Sequence, residues 1–211
     1  MKRAIALFGP GLAVLMIAAC SEGQEGEMRL PRVPILQSPS SLESGSGLPH
    51  SGAPAVVDPL PESVLSDHPC EILTPEQVRQ ALGPRASEGE RKDLNAVGPG
   101  CGWSSQENLG GFQIGFNTVS REGLSATYAN AKPRSGVFRE LGSIHDFPAV
   151  AYKDSEDDRI CTVVVGVANE YSITATVGLS VAAESANTDS CVPAEKVAEV
   201  VVGNLKAKAG R

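Results

Sequence analysis

Cysteines, histidines and clustered carboxylates are the side chains through which this chain could do chemistry. Five cysteines and three histidines occur in its 211 residues. Cys20 ends the run Ile17-Ala18-Ala19-Cys20, where two small residues precede a thiol. This run resembles a lipobox, with Ile17 in place of the more usual Leu. It implies cleavage before Cys20 and a diacylglyceryl group on its sulfur. The other four cysteines are Cys70, Cys101, Cys161 and Cys191. They form no C-x-x-C pair, which argues against zinc and against redox exchange. An even count in an exported domain favours two disulfides. Four cysteines allow three connectivities. We prefer Cys70–Cys101 with Cys161–Cys191, which keeps each bond local and is worth about 3–4 kcal/mol per bond in chain-entropy terms.

The histidines are scattered. His50 lies in a polar stretch, and His68 precedes the first domain cysteine at the expected rim of the fold. Only His145, beside Asp146, is placed for a folded site. Adjacent residues of a strand project to opposite faces, so as strand neighbours the two do not share a proton. The chain carries no G-x-S-x-G elbow, H-E-x-x-H, Walker loop or G-x-G-x-x-G. Asp154, Glu156 and Asp158 alternate as in a calcium loop. Arg159 and Val165 stand where an EF-hand needs Gly and Glu, so a solvated turn is the reading. The lone tryptophan, Trp103, falls two residues after Cys101 and shares its strand face. It either packs on a disulfide or serves as an exposed binding anchor. No catalytic residue, metal or cofactor is expected, and the ligand-binding residues are not legible.

The elements that must position these residues begin with an export signal. Lys2 and Arg3 precede an apolar run, Ala4 to Ala19, broken by Gly9-Pro10-Gly11. As a helix it spans about 24 Å, short of the roughly 30 Å hydrocarbon core. Residues 1–19 therefore read as a signal peptide. Residues 20–66 are rich in Gly, Ser, Pro and Glu, with apolar residues singly and without period. They read as a disordered tether, with Arg29 to Leu36 as a candidate linear motif. The net charge is −7, and loss of Lys2 and Arg3 makes it more negative still. With aromatics at 4 per cent and no basic face, a nucleic-acid partner is excluded.

Residues 67–211 read as one α+β domain. Thr74, Pro75 and Gln77 make a capped helix start, and Gly83-Pro84 a stop. Strands are expected at Cys101 to Ser105, Phe112 to Asn117, Phe147 to Tyr152, Cys161 to Val167 and Ile173 to Leu179. A short helix around Leu124, Tyr128 and Ala131 ends before Pro133, and a long one runs from about Val192 to Lys206. The expectation is an antiparallel sheet of about five strands with flanking helices and two disulfides.

Several of these residues carry a resemblance. Asp67-x-Pro69-Cys70 before Leu73-Thr74-Pro75-Glu76, Gly98-Pro99-Gly100-Cys101-x-Trp103 and Phe147-Pro148-Ala149-Val150 resemble the actinobacterial lipoproteins called domain of unknown function 3558. So do the lipobox, the Pro-rich tether, Cys161-Thr162-Val163 and Cys191 opening the last helix. The resemblance implies a cell-envelope lipoprotein with paired disulfides and no assigned activity. The element order is also similar to small exported binding domains of the Mog1/PsbP type, at the level of fold alone.

The functional expectation is a non-catalytic binding module for a protein, lipid or envelope component. It would be held at the extracytoplasmic face of the cell membrane by Cys20. The alternatives are an envelope enzyme or enzyme accessory using Asp146, Asp154 or Glu156, or a structural spacer. An enzyme would need a cleft bringing two carboxylates together.

Overall fold

The computed structural model describes residues 47–105 and 110–211. Cys20, the signal at 1–19 and the tether up to residue 46 lie outside the described residues. Seven strands form one sheet: β1 (Glu90–Arg91), β2 (Gly100–Ser104), β3 (Gly111–Asn117), β4 (Val137–Ile144), β5 (Phe147–Lys153), β6 (Ile160–Gly166) and β7 (Ser172–Gly178). Their order is β1-β2-β3-β7-β6-β5-β4, and every pairing is antiparallel. Two meanders, β1 to β3 and β4 to β7, therefore meet at the β3–β7 seam. Helices α1 (Pro75–Leu82), α2 (Gly123–Asn130), α3 (Val181–Ser185) and α4 (Cys191–Lys208) complete the fold. The architecture is α+β with an antiparallel sheet.

Strand alternation builds the core. Trp103, Phe112 and Val177 lie opposite one another in register, as do Cys101, Ile114, Ala175 and Val163. These side chains share one face and are buried with Ala194, Ala198, Val201, Val202 and Leu205 of α4. The opposite face carries Gly102, Gln113, Gly115, Thr174, Thr176 and Thr162. There α2 buries only Val150 and Val164, through Leu124 and Tyr128. The disulfides join Cys70 to Cys101 and Cys161 to Cys191, at sequence separations of 31 and 30. The first ties the segment before α1 to β2, and the second ties β6 to the start of α4.

Three departures from the sequence reading have physical causes. Two strands went unread: β1 is two exposed charged residues, and β4 is an edge strand with a register shift at Glu140/Gly142. Gly142, at φ 75°, absorbs that bulge. Second, His145 and Asp146 are not in a strand. Both have positive φ, 51° and 74°, and form the two-residue turn between β4 and β5.

Third, the domain begins before residue 67. Residues 47–66, assigned above to the tether, wrap the end of the sheet as a strap. Ala53 is buried with Leu124 and Tyr128 beside α2, whereas Val56, Leu60, Val64 and Leu65 are buried in the main core. Backbone N–H groups of Val56 and Leu60 donate to Asn169 Oδ1 and the Val167 carbonyl, at 2.9 and 2.8 Å. A strap buries one residue at a time against a preformed surface, so it needs no period. Its prolines, Pro49, Pro54, Pro59 and Pro61, lower the entropy lost on ordering. Leu60, 4% exposed, reports on this contact. Leu60→Ala is expected to cost about 2–4 kcal/mol in urea unfolding of the full chain. A loss below about 0.5 kcal/mol, the scale of a surface substitution, would return the segment to the tether.

Candidate functional site

Two concave features stand out. The larger, of about 520 Å³, is a groove walled by α1, α3 and the first three turns of α4. Its floor is Phe112, Val177 and Leu179, where β3 begins and β7 ends. Trp103 flanks the floor on β2, its ring 5.0 Å from that of Phe112. The walls are mostly aliphatic: Leu73, Ala81, Ala183, Val192, Val197 and Val200. Val192 and Val200 are 48% and 39% exposed, so the apolar lining runs out onto the surface.

Local sequence positions each wall. Thr74 Oγ1 accepts from the Gln77 N–H at 3.2 Å, and Gln77 Oε1 accepts from the Thr74 N–H at 2.8 Å. This capping box starts α1, and Gly83, at φ 90°, ends it. The Gln77 amide also reaches α4: it donates to Asn204 Oδ1 at 3.1 Å and accepts from Asn204 Nδ2 at 3.0 Å. Asn204 Nδ2 further donates to the Ile72 carbonyl at 2.7 Å. Polar bonds thus set the distance between α1 and α4.

The start of α4 is fixed by charge. Lys153 has a buried side chain, and its Nζ donates to Asp189 Oδ1 at 3.1 Å and to the Glu156 carbonyl. Asp189 Oδ1 accepts from the Cys191 N–H at 3.0 Å, and Oδ2 faces Arg139 at 3.1 Å. The Cys191 N–H, with Lys153 and Arg139, holds the Asp189 carboxyl below the usual carboxylate range against desolvation.

The smaller feature, about 260 Å³, lies on the other sheet face between the Leu94–Pro99 loop and α2. Its lining includes Asn117, Thr174 and Thr176: the Thr176 hydroxyl meets that of Thr162 at 3.0 Å, and Asn117 Nδ2 donates to Ser172 and Thr174. Lys92 at its rim is paired with Glu90 at 2.8 Å. These hydroxyl and amide groups satisfy one another, which leaves less for a ligand than the apolar groove does.

The residues singled out from sequence fall elsewhere. His68 Nδ1 accepts from the Cys70 N–H at 3.2 Å, so Nε2 is the nitrogen that donates to Asp93 Oδ1, at 2.7 Å. His68, then the Gly100 N–H and Arg91, hold the Asp93 carboxyl far below its usual range. Both ring nitrogens are therefore engaged, and the pair secures the segment beside the Cys70–Cys101 disulfide. His50 is drawn to α2, with Nε2 3.4 Å from Glu122. His145 sits in its turn against Gly203 of α4, and Asp146 pairs there with Lys206 at 3.3 Å. Asp154 and Glu156 are exposed in the turn at the opposite end of β5. Asp158 accepts from the Ile160 N–H at 2.9 Å. Trp103 is buried beside Cys101, and a Cβ on Gly89 would meet both Cys101 Sγ and Trp103 Nε1. None of these carboxylates or histidines enters either concavity. The groove residues were missed because they come from segments more than a hundred positions apart and carry no reactive group.

The fold's family follows from a match to the model described as "Protein of unknown function (DUF3558)", over residues 15–204. The chain belongs to the DUF3558 family. No curated protein and no solved structure matches it. The DUF3558 match enters inside the apolar run, passes through Cys20 and the strap, and ends within α4.

The charge clamp of this DUF3558 chain has a pH consequence. A carboxyl with a depressed folded-state pKa binds fewer protons folded than unfolded. Its stabilisation is present above the unfolded value, near pH 4, and is lost as pH falls through and below that value. Both Asp93 and Asp189 act in this direction. Asp189→Asn is expected to cost roughly 1–3 kcal/mol at pH 7, less than a fully buried pair, because Asp189 is partly exposed. That cost should shrink between pH 5 and pH 3 in urea titrations followed by circular dichroism. A difference that stays constant with pH would remove the clamp from the account of acid stability.

Proposed function

We propose that this chain is an envelope lipoprotein, anchored through diacylglyceryl-Cys20, whose domain binds an apolar ligand in the groove between α1, α3 and α4. The observation that carries the reading is the groove. Its volume of about 520 Å³ falls within the roughly 300–1,000 Å³ of small-molecule sites. Its lining is largely aliphatic, although apolar side chains of a small domain ordinarily collapse onto one another. The position of the family match supports the anchor, because the shared pattern reaches back through the lipobox. The carboxylates that a hydrolytic reading would recruit stand on exposed turns at opposite ends of β5, roughly 20 Å apart along the strand. This favours binding over catalysis. Actinobacterial origin and attachment at the outer face of the cell membrane belong to the same proposal.

The two halves of the proposal are tested separately. Protein made in a bacterial host should partition into the Triton X-114 detergent phase, and Cys20→Ala should move it to the aqueous phase. Equal partitioning of the two forms would remove the anchor. For the groove, the neutral dye N-phenyl-1-naphthylamine should brighten on adding the full chain. Ala183→Trp, which places an indole in the groove from a half-buried position, should reduce that signal at least fivefold with little change in thermal stability. Unchanged brightening in the variant would move the ligand site elsewhere.

A further inference from the structure

Resting on the groove as the ligand site, we propose that its ligand is an anionic amphiphile, a long-chain carboxylate whose head group is held by Lys196. The groove's lining contains no aspartate or glutamate among the described residues, and Lys196 is its one charged side chain. Lys196 is also set apart from the other lysines. Lys92 is paired with Glu90, Lys132 with Glu140, Lys153 with Asp189, Lys206 with Asp146 and Lys208 with Asp67. Among the described residues Lys196 alone of the lysines makes no ion pair. This holds in a chain of net charge −7, where carboxylates outnumber cations. Glu195 and Glu199 flank it on α4, and neither approaches within ion-pair distance.

The chemistry of the ligand follows from this arrangement. An unpaired ammonium beside aliphatic surface sits in a lower effective dielectric than bulk water. An anion brought to it gains more there than at an open surface, and the contact is a charge-assisted hydrogen bond. One ammonium, with no second cation among the described lining residues, matches a singly charged head better than a phosphate dianion. The remaining polar lining, Gln77 and Gln80 on α1 with Ser180 and Thr188 opposite, is uncharged. The rest of the groove offers methyl and methylene groups, which suit a hydrocarbon chain and gain from its removal from water. A long-chain carboxylate satisfies both parts of the site at once.

The test uses the full-length protein with cis-parinaric acid, whose fluorescence rises on burial, and with its methyl ester as the uncharged counterpart. The acid is expected to bind about tenfold more tightly than the ester. Lys196→Gln should weaken the acid about tenfold and leave the ester unchanged, and Lys196→Arg should restore most of the loss. Lys196 is exposed on α4, so both variants should fold, as circular dichroism would show. Equal binding of acid and ester, with Lys196→Gln indistinguishable from wild type, would overturn the head-group assignment and leave the apolar groove intact. Failure of both probes to bind wild-type protein would overturn the assignment and the groove reading together.

Discussion

Everything in this domain depends on how α4 is seated. Its inward residues Ala194, Ala198, Val201, Val202 and Leu205 have no exposed surface, and neither have Cys161, Val163, Val165, Ile173 and Ala175 beneath them. Alternating small and branched side chains let a helix sit close to a pleated sheet, but such a seat does not by itself fix where the helix starts. Covalent and charged contacts at the N-terminus do. The Cys161–Cys191 disulfide places the first residue of α4 on β6, and Asp189 joins that residue's N–H to the buried ammonium of Lys153 on β5. Ser190 Oγ adds a bond to the Asp158 carbonyl at 2.7 Å. Three consecutive residues are thereby bonded to the strands and turn they cross.

The far end of α4 is held differently. Lys208 Nζ donates to Asp67 at 2.6 Å and to the Val64 carbonyl at 3.0 Å, and Arg211 pairs with Asp58. Val64 and Asp58 belong to the strap, and Asp67 directly follows it; the strap itself rests on the β6–β7 connection. The exposed ion pairs are individually weak. Their effect comes from tying together two segments, each already buried on its apolar side. The strap thus closes the core beside the β6–β7 connection, and trimming the domain back to residue 67 would take Val56, Leu60, Val64 and Leu65 out of the core.

Sequence patterns exposed the parts of this fold that obey a period. Phe112, Ile114 and Phe116, or Ile173, Ala175 and Val177, alternate because one sheet face is buried, and the capping box at Thr74 and Gln77 is a local hydrogen-bond pattern. The β4 strand did not show because an edge strand with a bulge buries neither face consistently. Its turn, His145-Asp146, lacks the glycine that usually marks two left-handed residues in a hairpin. The strap was invisible for the opposite reason: its apolar residues matter singly, against a surface made by other parts of the chain. The four domain cysteines were legible because their chemistry is. The groove was not, since an aliphatic lining drawn from α1, the β3 and β7 ends and α4 resembles any other hydrophobic positions when read in order.

What keeps that groove open is a polar spacer. Two helices with aliphatic faces would ordinarily close onto each other, since every methylene removed from water adds to stability. Gln77 and Asn204 prevent this by exchanging two hydrogen bonds at 3.0 and 3.1 Å, with the Ile72 carbonyl as a third partner. Closer approach of α1 to α4 would break these bonds and leave amides without partners, at a cost comparable to the area gained. Gln77 is already committed to the helix cap, so its orientation is fixed before it meets Asn204. The walls are therefore preorganised, and a ligand entering between them orders little of the protein. Its hydrocarbon contacts then translate into affinity with less loss to conformational entropy than a collapsing pocket would impose.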